Sequence, residues 1–343
     1  MGQIDAGHSK NLERLLPVQA ISTIETTGHM DRLWAPLVEV QRLNSEPMLA
    51  SPRANVWQSG PFFFFQYACG GQILRRTIEH VERLNGYVLI SRHVTGRIVG
   101  TTRDTPFSHR TGIIAIRNLD HPFTAIQYPS AVESILVPHD ALKLEADEIP
   151  PLCVLLDEAA PIGKLHVALD SLFGALNHVP RTLNNVMLRG LLDLARIAIV
   201  QPQYASSRRR AARYGQYVSI QSYIEQNLHR LDLCAETLLP KFGVSRATLY
   251  RLFEEEGGVR NYIVDRRLFR ALLDISSGPQ RRGKIQQAAK SWGFSSAANF
   301  NRSVRHAFGG APGSLFRPTA VLQADTDVIG AHPSRNILVP FSR

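Results

Sequence analysis

Two segments in the last third of the chain carry arginine and small polar side chains at spacings that suit binding to a polyanion. The first runs from Ser245 to Arg251, and the second runs from Ser296 to Arg302. An arginine guanidinium can donate two hydrogen bonds to guanine O6 and N7, and an asparagine amide can pair with adenine. Hydroxyls and further arginines suit phosphate oxygens. The chemistry that these residue types support is therefore nucleic-acid binding.

Both segments belong to a pattern that occurs twice, with its central glycines, Gly243 and Gly293, 50 residues apart. Each copy has a short helical period, a glycine, an apolar residue, a serine and a second helical period. Glycine tolerates the left-handed backbone that ends a helix sharply, and serine caps the next helix. The pattern predicts helix-turn-helix units at about 233–257 and 284–309, held apart by an amphipathic helix over 262–275.

We predict that the exposed face of each second helix contacts DNA. Arg251 is the best candidate for reading guanine, although a phosphate contact or an internal ion pair are alternatives. Arg246 is expected to contact phosphate, Tyr250 either touches a thymine methyl or packs, and Asn299 either pairs with adenine or is only solvated. The full predicted set is Ser245, Arg246, Ala247, Thr248, Tyr250, Arg251, Ser296, Ala298, Asn299 and Arg302.

Two further features of this region carry expectations of their own. Pro240 lies in the first predicted helix, where its missing N–H should kink the helix and disturb the docking of the first unit. The run Glu254–Glu256 is expected to be a solvated face pointing away from DNA.

The excess of positive over negative charge lies entirely in the C-terminal part of the chain. Residues 1–200 contain 18 Lys and Arg against 19 Asp and Glu, whereas residues 201–343 contain 21 against 10. Such an asymmetry favours a polyanionic partner, either a nucleic acid or an anionic membrane surface. A basic domain that is merely soluble is the alternative.

The N-terminal part predicts a different fold. Residues 61–140 contain short β-branched segments about ten residues apart, which favours a β sandwich or small barrel. Two amphipathic helices follow over 162–200, with leucines at helical spacing. The predicted domains are 1–200 (β core about 50–150), a basic linker at 201–215, a helical DNA-binding domain at 216–318 and a tail at 319–343.

Other function classes lack their usual signals. The chain has no apolar run long enough to span a membrane and no secretory leader, and its three cysteines are far apart, so we expect a reduced, cytoplasmic protein. Common nucleophile, zinc-protease and nucleotide-binding motifs are missing, and the N-terminal histidines form no His-x-His pair. We therefore predict no catalytic residue, metal or cofactor. Aromatic residues that form either plain core or the lining of an effector pocket are Phe62, Phe63, Phe64, Phe65, Tyr67, Tyr87 and Phe107.

Residues 217–317 resemble the DNA-binding domain of the AraC/XylS family of transcription regulators. The resemblance implies two helix-turn-helix units, joined by a linker helix, that enter successive major grooves. Residues 1–200 are similar to the family's AraC-binding-like domain through Gly112–Ile116, Asp120, Pro122-Phe123, Val137-Pro138 and Leu142, which implies a cupin-like β fold followed by helices. The motifs in the DNA-binding part are Phe242-Gly243-Val244-Ser245, Leu249–Phe253, Tyr262-Ile263, Arg266-Arg267-Leu268, Ala288, Trp292–Ser295, Phe300-Asn301-Arg302, Phe308-Gly309, Pro312 and Phe316-Arg317.

The resemblance implies an effector-responsive activator that binds promoter or operator DNA, contacts RNA polymerase and forms a homodimer away from membranes. It assigns no effector-binding residues. Three alternatives stay open: a constitutive dimeric regulator without an effector, a cupin-type enzyme fused to a DNA-binding module, and a basic protein at an anionic membrane. A thermal-shift screen without any hit would favour the constitutive regulator. Metal bound to the purified protein would favour the enzyme, and vesicle binding with sequence-independent DNA binding would favour the membrane protein.

Overall fold

The first half of the chain folds as β-strands and the second half as helices. The computed structural model describes residues 19–24, 34–44, 54–155, 160–176, 181–200, 208–279 and 281–317. Within these ranges the strands are β1 (Gln19–Ile24), β2 (Glu39–Arg42), β3 (Ala54–Ser59), β4 (Phe62–Cys69), β5 (Gln72–Arg76), β6 (Tyr87–Thr95), β7 (Arg97–Thr102), β8 (Thr105–Arg110), β9 (Ile114–Asn118), β10 (Phe123–Gln127), β11 (Ser130–Pro138) and β12 (Leu152–Leu155).

One short helix lies among the strands and the other helices follow them. The helices are α1 (Ile78–Arg83), α2 (Ala160–Ala175), α3 (Arg181–Val200), α4 (Arg208–Asn227), α5 (Ala235–Phe242), α6 (Arg246–Leu252), α7 (Val259–Ser276), α8 (Lys284–Ser291), α9 (Ala297–Phe308) and α10 (Pro312–Leu315). Short 3-10 turns occur at His139–Leu142, Ala146–Glu148 and Glu254–Glu256.

The described strands form two antiparallel sheets. The seven-stranded sheet has the order β1-β3-β4-β11-β6-β9-β12, and the five-stranded sheet has the order β2-β5-β10-β7-β8. Successive side chains of a strand point to opposite faces. Phe63 and Phe65 of β4 accordingly join the cluster between the sheets, while Phe62 and Phe64 join a cluster on the far side. The run of four phenylalanines is thus explained by a strand that is covered on both faces.

Helices α2 and α3 cover the outer face of the seven-stranded sheet. Leu165, Leu169 and Leu172 of α2 pack there with Leu188 and Leu191 of α3. These leucines recur at helical spacing, so one apolar stripe from each helix faces the sheet. The sequence-based prediction of two inward-facing amphipathic helices is confirmed.

The C-terminal helices cover the outer face of the five-stranded sheet. Ile73, Val99 and Ile126 of that sheet share one buried cluster with side chains of α7 and α9. The ring of Tyr128, just beyond β10, stacks on Phe308 of α9 with 4.8 Å between centroids. The molecule therefore has four layers: the helix pair, two sheets and the C-terminal helical region.

Buried charges cross this last interface. Arg266 of α7 donates from Nη1 to the carbonyl of Gly100 in β7 at 2.5 Å and from Nε to Glu225 of α4 at 2.5 Å. Beside it, Arg97 donates to the carboxylate of Asp265 at 2.9 Å. Paired buried charges hold one geometry, since separating them leaves a desolvated ion without compensation.

The predicted fold class is confirmed: an antiparallel β-rich part is followed by helices, and the C-terminal region is all-α with two helix-turn-helix units. Within the basic linker predicted at 201–215, residues 208–215 belong to α4. Arginine and alanine are strong helix formers, and this segment is rich in both. Residues 201–207 and the predicted tail at 319–343 lie outside the described residues, and the domain limits themselves stay a prediction.

Replacing Arg266 by methionine should destabilise the protein by about 3–5 kcal/mol, because Glu225 loses its fully buried cation and the Gly100 carbonyl loses its donor. Arg270→Met is the matched control, since Arg270 shares Glu225 but its side chain is 33% exposed against 0% for Arg266. Its expected cost is about 1 kcal/mol or less. Urea unfolding measures both, and equal losses would contradict the role assigned to Arg266.

Candidate nucleic-acid interface

The first helix-turn-helix unit consists of α5 and α6. Helix α5 ends at Gly243, whose φ of 60° is left-handed and whose N–H donates to the carbonyl of Leu239. Ser245 then caps α6, its Oγ accepting from the N–H of Thr248 at 3.1 Å. Leu249 and Phe253 are fully buried and fix the rotation of α6. The opposite face of α6 is consequently turned to solvent.

The second unit, α8 and α9, repeats this arrangement. Gly293 follows α8 with a φ of 71°. Ser296 caps α9, its Oγ accepting from the N–H of Asn299 at 3.1 Å. Phe300 and Val304 are fully buried. The glycine and serine roles expected from the sequence are therefore confirmed in both copies.

The predicted contact residues of the first unit fall into two groups. Arg246, Ala247, Tyr250 and Arg251 are exposed on one side of α6. Arg246 forms an ion pair with Glu236 of α5 at 2.8 Å, whereas Arg251 has no hydrogen bond or ion pair to any described residue. Ser245 and Thr248 share a hydroxyl contact at 2.9 Å and serve the cap.

The predicted residues of the second unit divide in the same way. Ala298, Asn299 and Arg302 are exposed on α9, and Ser296 is its cap. Asn299 donates from Nδ2 to Ser295 Oγ at 2.6 Å, so its amide already has one partner. Arg302 forms no hydrogen bond or ion pair within the described part of the chain, which leaves its guanidinium available.

Side chains from both units line one groove of about 590 Å³. Tyr250 comes from the first unit, and Asn299 and Arg302 come from the second. The linker helix α7 contributes Arg260, an exposed arginine between the two sets. Arg260 is not among the predicted contact residues, because these all come from the start of the second helix of each repeat. Its position in the first turn of the linker helix is the signal that could have identified it.

The spacing of the units is held by α7. Arg267 donates from Nε to the carbonyl of Leu228, at the end of α4, at 3.0 Å. Gly293 of the second unit lies against the same two residues, because a Cβ added there would be 2.4 Å from the Leu228 carbonyl oxygen and 2.9 Å from Arg267 Nε. A side chain at position 293 would thus push apart the contact that joins the units.

The structure places Glu256 differently from the sequence-based expectation, and it shows where Pro240 lies. Glu256 is not solvated: it is buried and accepts a hydrogen bond from the Tyr217 hydroxyl, since the 3-10 turn after α6 folds back towards α4. Burial raises the pKa of Glu256 to about 7. Pro240 is exposed, and α5 continues past it to Phe242.

The described residues include no group of three or more His, Cys, Asp or Glu side chains that could hold a metal ion. None of the helices described is long and apolar enough to cross a membrane.

Comparison with known proteins places the helical region. Residues 238–317, which run from within α5 to just beyond α10, match a family described as a helix-turn-helix domain. The C-terminal region of this chain therefore contains a helix-turn-helix domain.

Individual proteins are also similar to parts of this chain, and the match to the first of them spans little more than a third of each protein. The transcriptional activator NphR of Rhodococcus sp is 28% identical over 127 residues, which is 37% of this chain and 37% of NphR. The AraC-like transcriptional activator CuxR has a TM-score of 0.45 at 20% identity, over 72% of this chain and 94% of CuxR. ToxT from Vibrio cholerae O395 has a TM-score of 0.30 at 15% identity, over 74% of this chain and 95% of ToxT.

Gly243 and Gly293 of the helix-turn-helix domain should differ in their tolerance of alanine. Gly243→Ala meets no atom within 4 Å and should cost only the left-handed strain, about 1–2 kcal/mol. Gly293→Ala has the same strain plus the collision with Leu228, so its loss in free energy of unfolding should be clearly larger. Urea unfolding of both variants tests this, and equal costs would show that the Leu228 contact is not a tight constraint.

The raised pKa of Glu256 predicts a pH-dependent stability. The folded protein binds the carboxyl proton of Glu256 more tightly than the unfolded chain does. The stabilisation that this proton provides is therefore complete below about pH 4.5 and is lost as pH rises through about 7. The Glu256→Gln side chain is neutral at every pH. The free energy of unfolding of this variant should therefore exceed that of the wild type by roughly 1–3 kcal/mol at pH 8 but not at pH 4.5. Glu254→Gln, an exposed neighbour, is the control. A Glu256→Gln effect that is the same at both pH values would refute this assignment.

Proposed function

We propose that this protein is a sequence-specific DNA-binding transcriptional regulator. The observation that carries the proposal is the shared groove, in which residues predicted to contact DNA from both units lie together with Arg260. Arg251 and Arg302 are exposed and unpaired within the described residues, so neither must give up an internal partner to bind a base or a phosphate. The net positive charge of residues 201–343 supports the same partner.

We assign the ten predicted residues different parts in this function. Ser245, Thr248 and Ser296 form the caps, so their backbone amides and hydroxyls at the helix starts suit phosphate contacts. Arg251 and Arg302 are the proposed base readers. The other side chains that complete the two contact faces are Arg246, Ala247, Tyr250, Ala298 and Asn299.

We further propose that the regulator is an activator whose N-terminal domain responds to a small-molecule effector. The name of the relative NphR supports activation. The packing of α7 on β7 supports communication, because Arg266 and Asp265 tie the linker helix directly to the β domain. An effector acts only to the extent that it binds one arrangement of this interface more tightly than another.

The proposal includes a homodimer formed through α2 and α3, with RNA polymerase as a further partner of the DNA-bound protein. Val167 and Val186 are exposed on this helix pair, which supports a surface that a second copy covers. Such a dimer places two AraC-type domains on one DNA molecule, in keeping with a cytoplasmic regulator of promoters.

Selection of binding sites from a random DNA library with the full-length protein tests this function. We expect an enriched motif with two elements about one helical turn apart, and an affinity that falls steeply with salt. Arg251→Ala and Arg302→Ala should each weaken binding to that motif by about 5–150-fold, which corresponds to about 1–3 kcal/mol, and relax the preference at one base position.

The control for these variants is Arg83→Ala, an exposed arginine on α1 in the β domain, which should leave DNA affinity unchanged. If no motif is enriched and binding is equal for all sequences, the proposal of a sequence-specific regulator fails. If Arg251→Ala and Arg302→Ala weaken all sequences equally, these arginines contact phosphate and do not read bases.

A further inference from the structure

The groove shared by the two helix-turn-helix units contains a basic side chain that belongs to neither unit. Arg260 of α7 lines this groove between the contact residues of the first unit and those of the second. Its side chain is exposed and forms no hydrogen bond or ion pair with any described residue. Among the described residues that line the groove, the one acidic side chain, Glu236, is already paired with Arg246 at 2.8 Å. The guanidinium of Arg260 is therefore available to an anionic partner.

Helix α7 presents Arg260 from a fixed position. Val259, the residue before it, is fully buried, and Tyr262, Ile263 and Asp265 are buried further along the helix. The first turns of α7 cannot rotate about the helix axis without exposing these side chains. A charged group on such a rigid element loses little freedom when it binds, because its backbone is already in place.

A second side chain of the same groove is unusual for a surface that binds a polyanion. Leu231, in the turn between α4 and α5, lines the groove and is 68% exposed. The turn is closed by two hydrogen bonds from Arg230 to the Asp232 carboxylate, at 3.0 and 2.6 Å. Arg267 of α7 donates from Nη2 to the Arg230 carbonyl at 2.5 Å. The helix that carries Arg260 therefore also holds the turn that exposes Leu231.

The geometry of B-DNA defines what meets this part of the groove. Major and minor grooves alternate along one face of a duplex, so a minor groove faces the protein between two major grooves that are one helical turn apart. The negative potential that attracts an inserted arginine is strongest where A·T pairs narrow this groove. Leucine is one of the apolar side chains that minor-groove proteins use. A cation together with an apolar side chain fits a minor groove better than it fits an isolated phosphate.

We propose that Arg260 enters the minor groove between the two recognition helices, with Leu231 against the sugars at its edge, and that the protein thereby selects A·T pairs at the centre of its binding site. This inference rests on the proposed function, since both units must occupy successive major grooves for a minor groove to face α7. A·T pairs offer only acceptors in the minor groove, whereas G·C pairs add the guanine N2 amino group, a donor that cannot pair with a guanidinium.

Base analogues test this reading with the full-length protein. Three duplexes carry the selected motif with central pairs that are A·T, G·C or inosine·cytosine. Inosine·cytosine has the major-groove edge of G·C but lacks the N2 amino group, so its minor groove resembles that of A·T. We expect the Kd for the A·T and inosine·cytosine duplexes to be about tenfold lower than for the G·C duplex. Equal Kd values for all three, or inosine·cytosine binding like G·C, would overturn the proposal.

Variants identify the side chain that is responsible. Arg260→Ala should weaken binding to the A·T duplex by about tenfold and to the G·C duplex by about threefold or less, so the preference largely disappears. Leu231→Gln should weaken binding to the A·T duplex several-fold. A phosphate contact by Arg260 predicts instead an equal loss on all three duplexes and a salt slope smaller by about one, and that result would overturn the proposal.

Two controls accompany these variants. Arg83→Ala removes an exposed arginine of the β domain and should keep both the affinity and the preference of the wild type. Arg260→Ala should melt at the wild-type temperature, because Arg260 has no partner to lose among the described residues. A loss of DNA binding with unchanged melting then reports on the interface and not on folding.

The outcomes separate this inference from the proposed function. An enriched motif with two elements, but with no preference at its centre, leaves the regulator and removes the minor-groove contact. Without an enriched motif, the same three central tracts are compared in a duplex of arbitrary flanking sequence. An A·T preference that Arg260→Ala abolishes then keeps the minor-groove contact but removes base reading by Arg251 and Arg302, and equal binding to all three tracts removes both proposals.

Discussion

The arrangement of this molecule depends on the burial of three consecutive charged residues in the linker helix α7. Asp265, Arg266 and Arg267 are all buried. Successive residues of a helix project about 100° apart, so these three side chains point in different directions. Asp265 pairs with Arg97 of the β domain, Arg266 joins Glu225 to the Gly100 carbonyl, and Arg267 holds the Leu228 carbonyl. One turn of helix thereby connects the β domain and the end of α4, and Arg267 also lies against Gly293 of the second helix-turn-helix unit.

This constraint has a consequence for DNA reading. The two recognition helices owe their rotation to their own buried residues, such as Leu249 and Phe300, but they owe their separation to α7. Helix α7 also packs on β7, through Arg266 and the Gly100 carbonyl. If the β domain responds to an effector as proposed, this contact is the route by which the response would reach the spacing of the two units.

The β domain shows how differently one protein treats its buried cations. Arg76 and Arg266 are embedded in carbonyl and carboxylate acceptors, and both stabilise the junctions between elements. Arg117 faces two aromatic rings between the sheets. Its guanidinium is therefore compensated by π faces and not by oxygen acceptors.

The sequence by itself determined the features that depend on neighbours a few residues away. The left-handed glycines at 243 and 293, the capping serines and the inward leucines of α2 and α3 were all predictable, because helix ends and apolar stripes are set by local backbone geometry. Ten candidate contact residues followed from the same reasoning, and the structure shows which of them are caps and which are exposed.

Only the tertiary structure decided the state of the charged residues. Arg266 and the Gly100 carbonyl are 166 positions apart in the chain, and Arg97 and Asp265 are 168 positions apart. No local pattern distinguishes Arg266 from an exposed arginine, Glu256 from its solvated neighbour Glu254, or Arg117 from any other residue of a strand. The free energy of a charge depends on every group that surrounds it after folding, and those groups come from distant parts of the sequence.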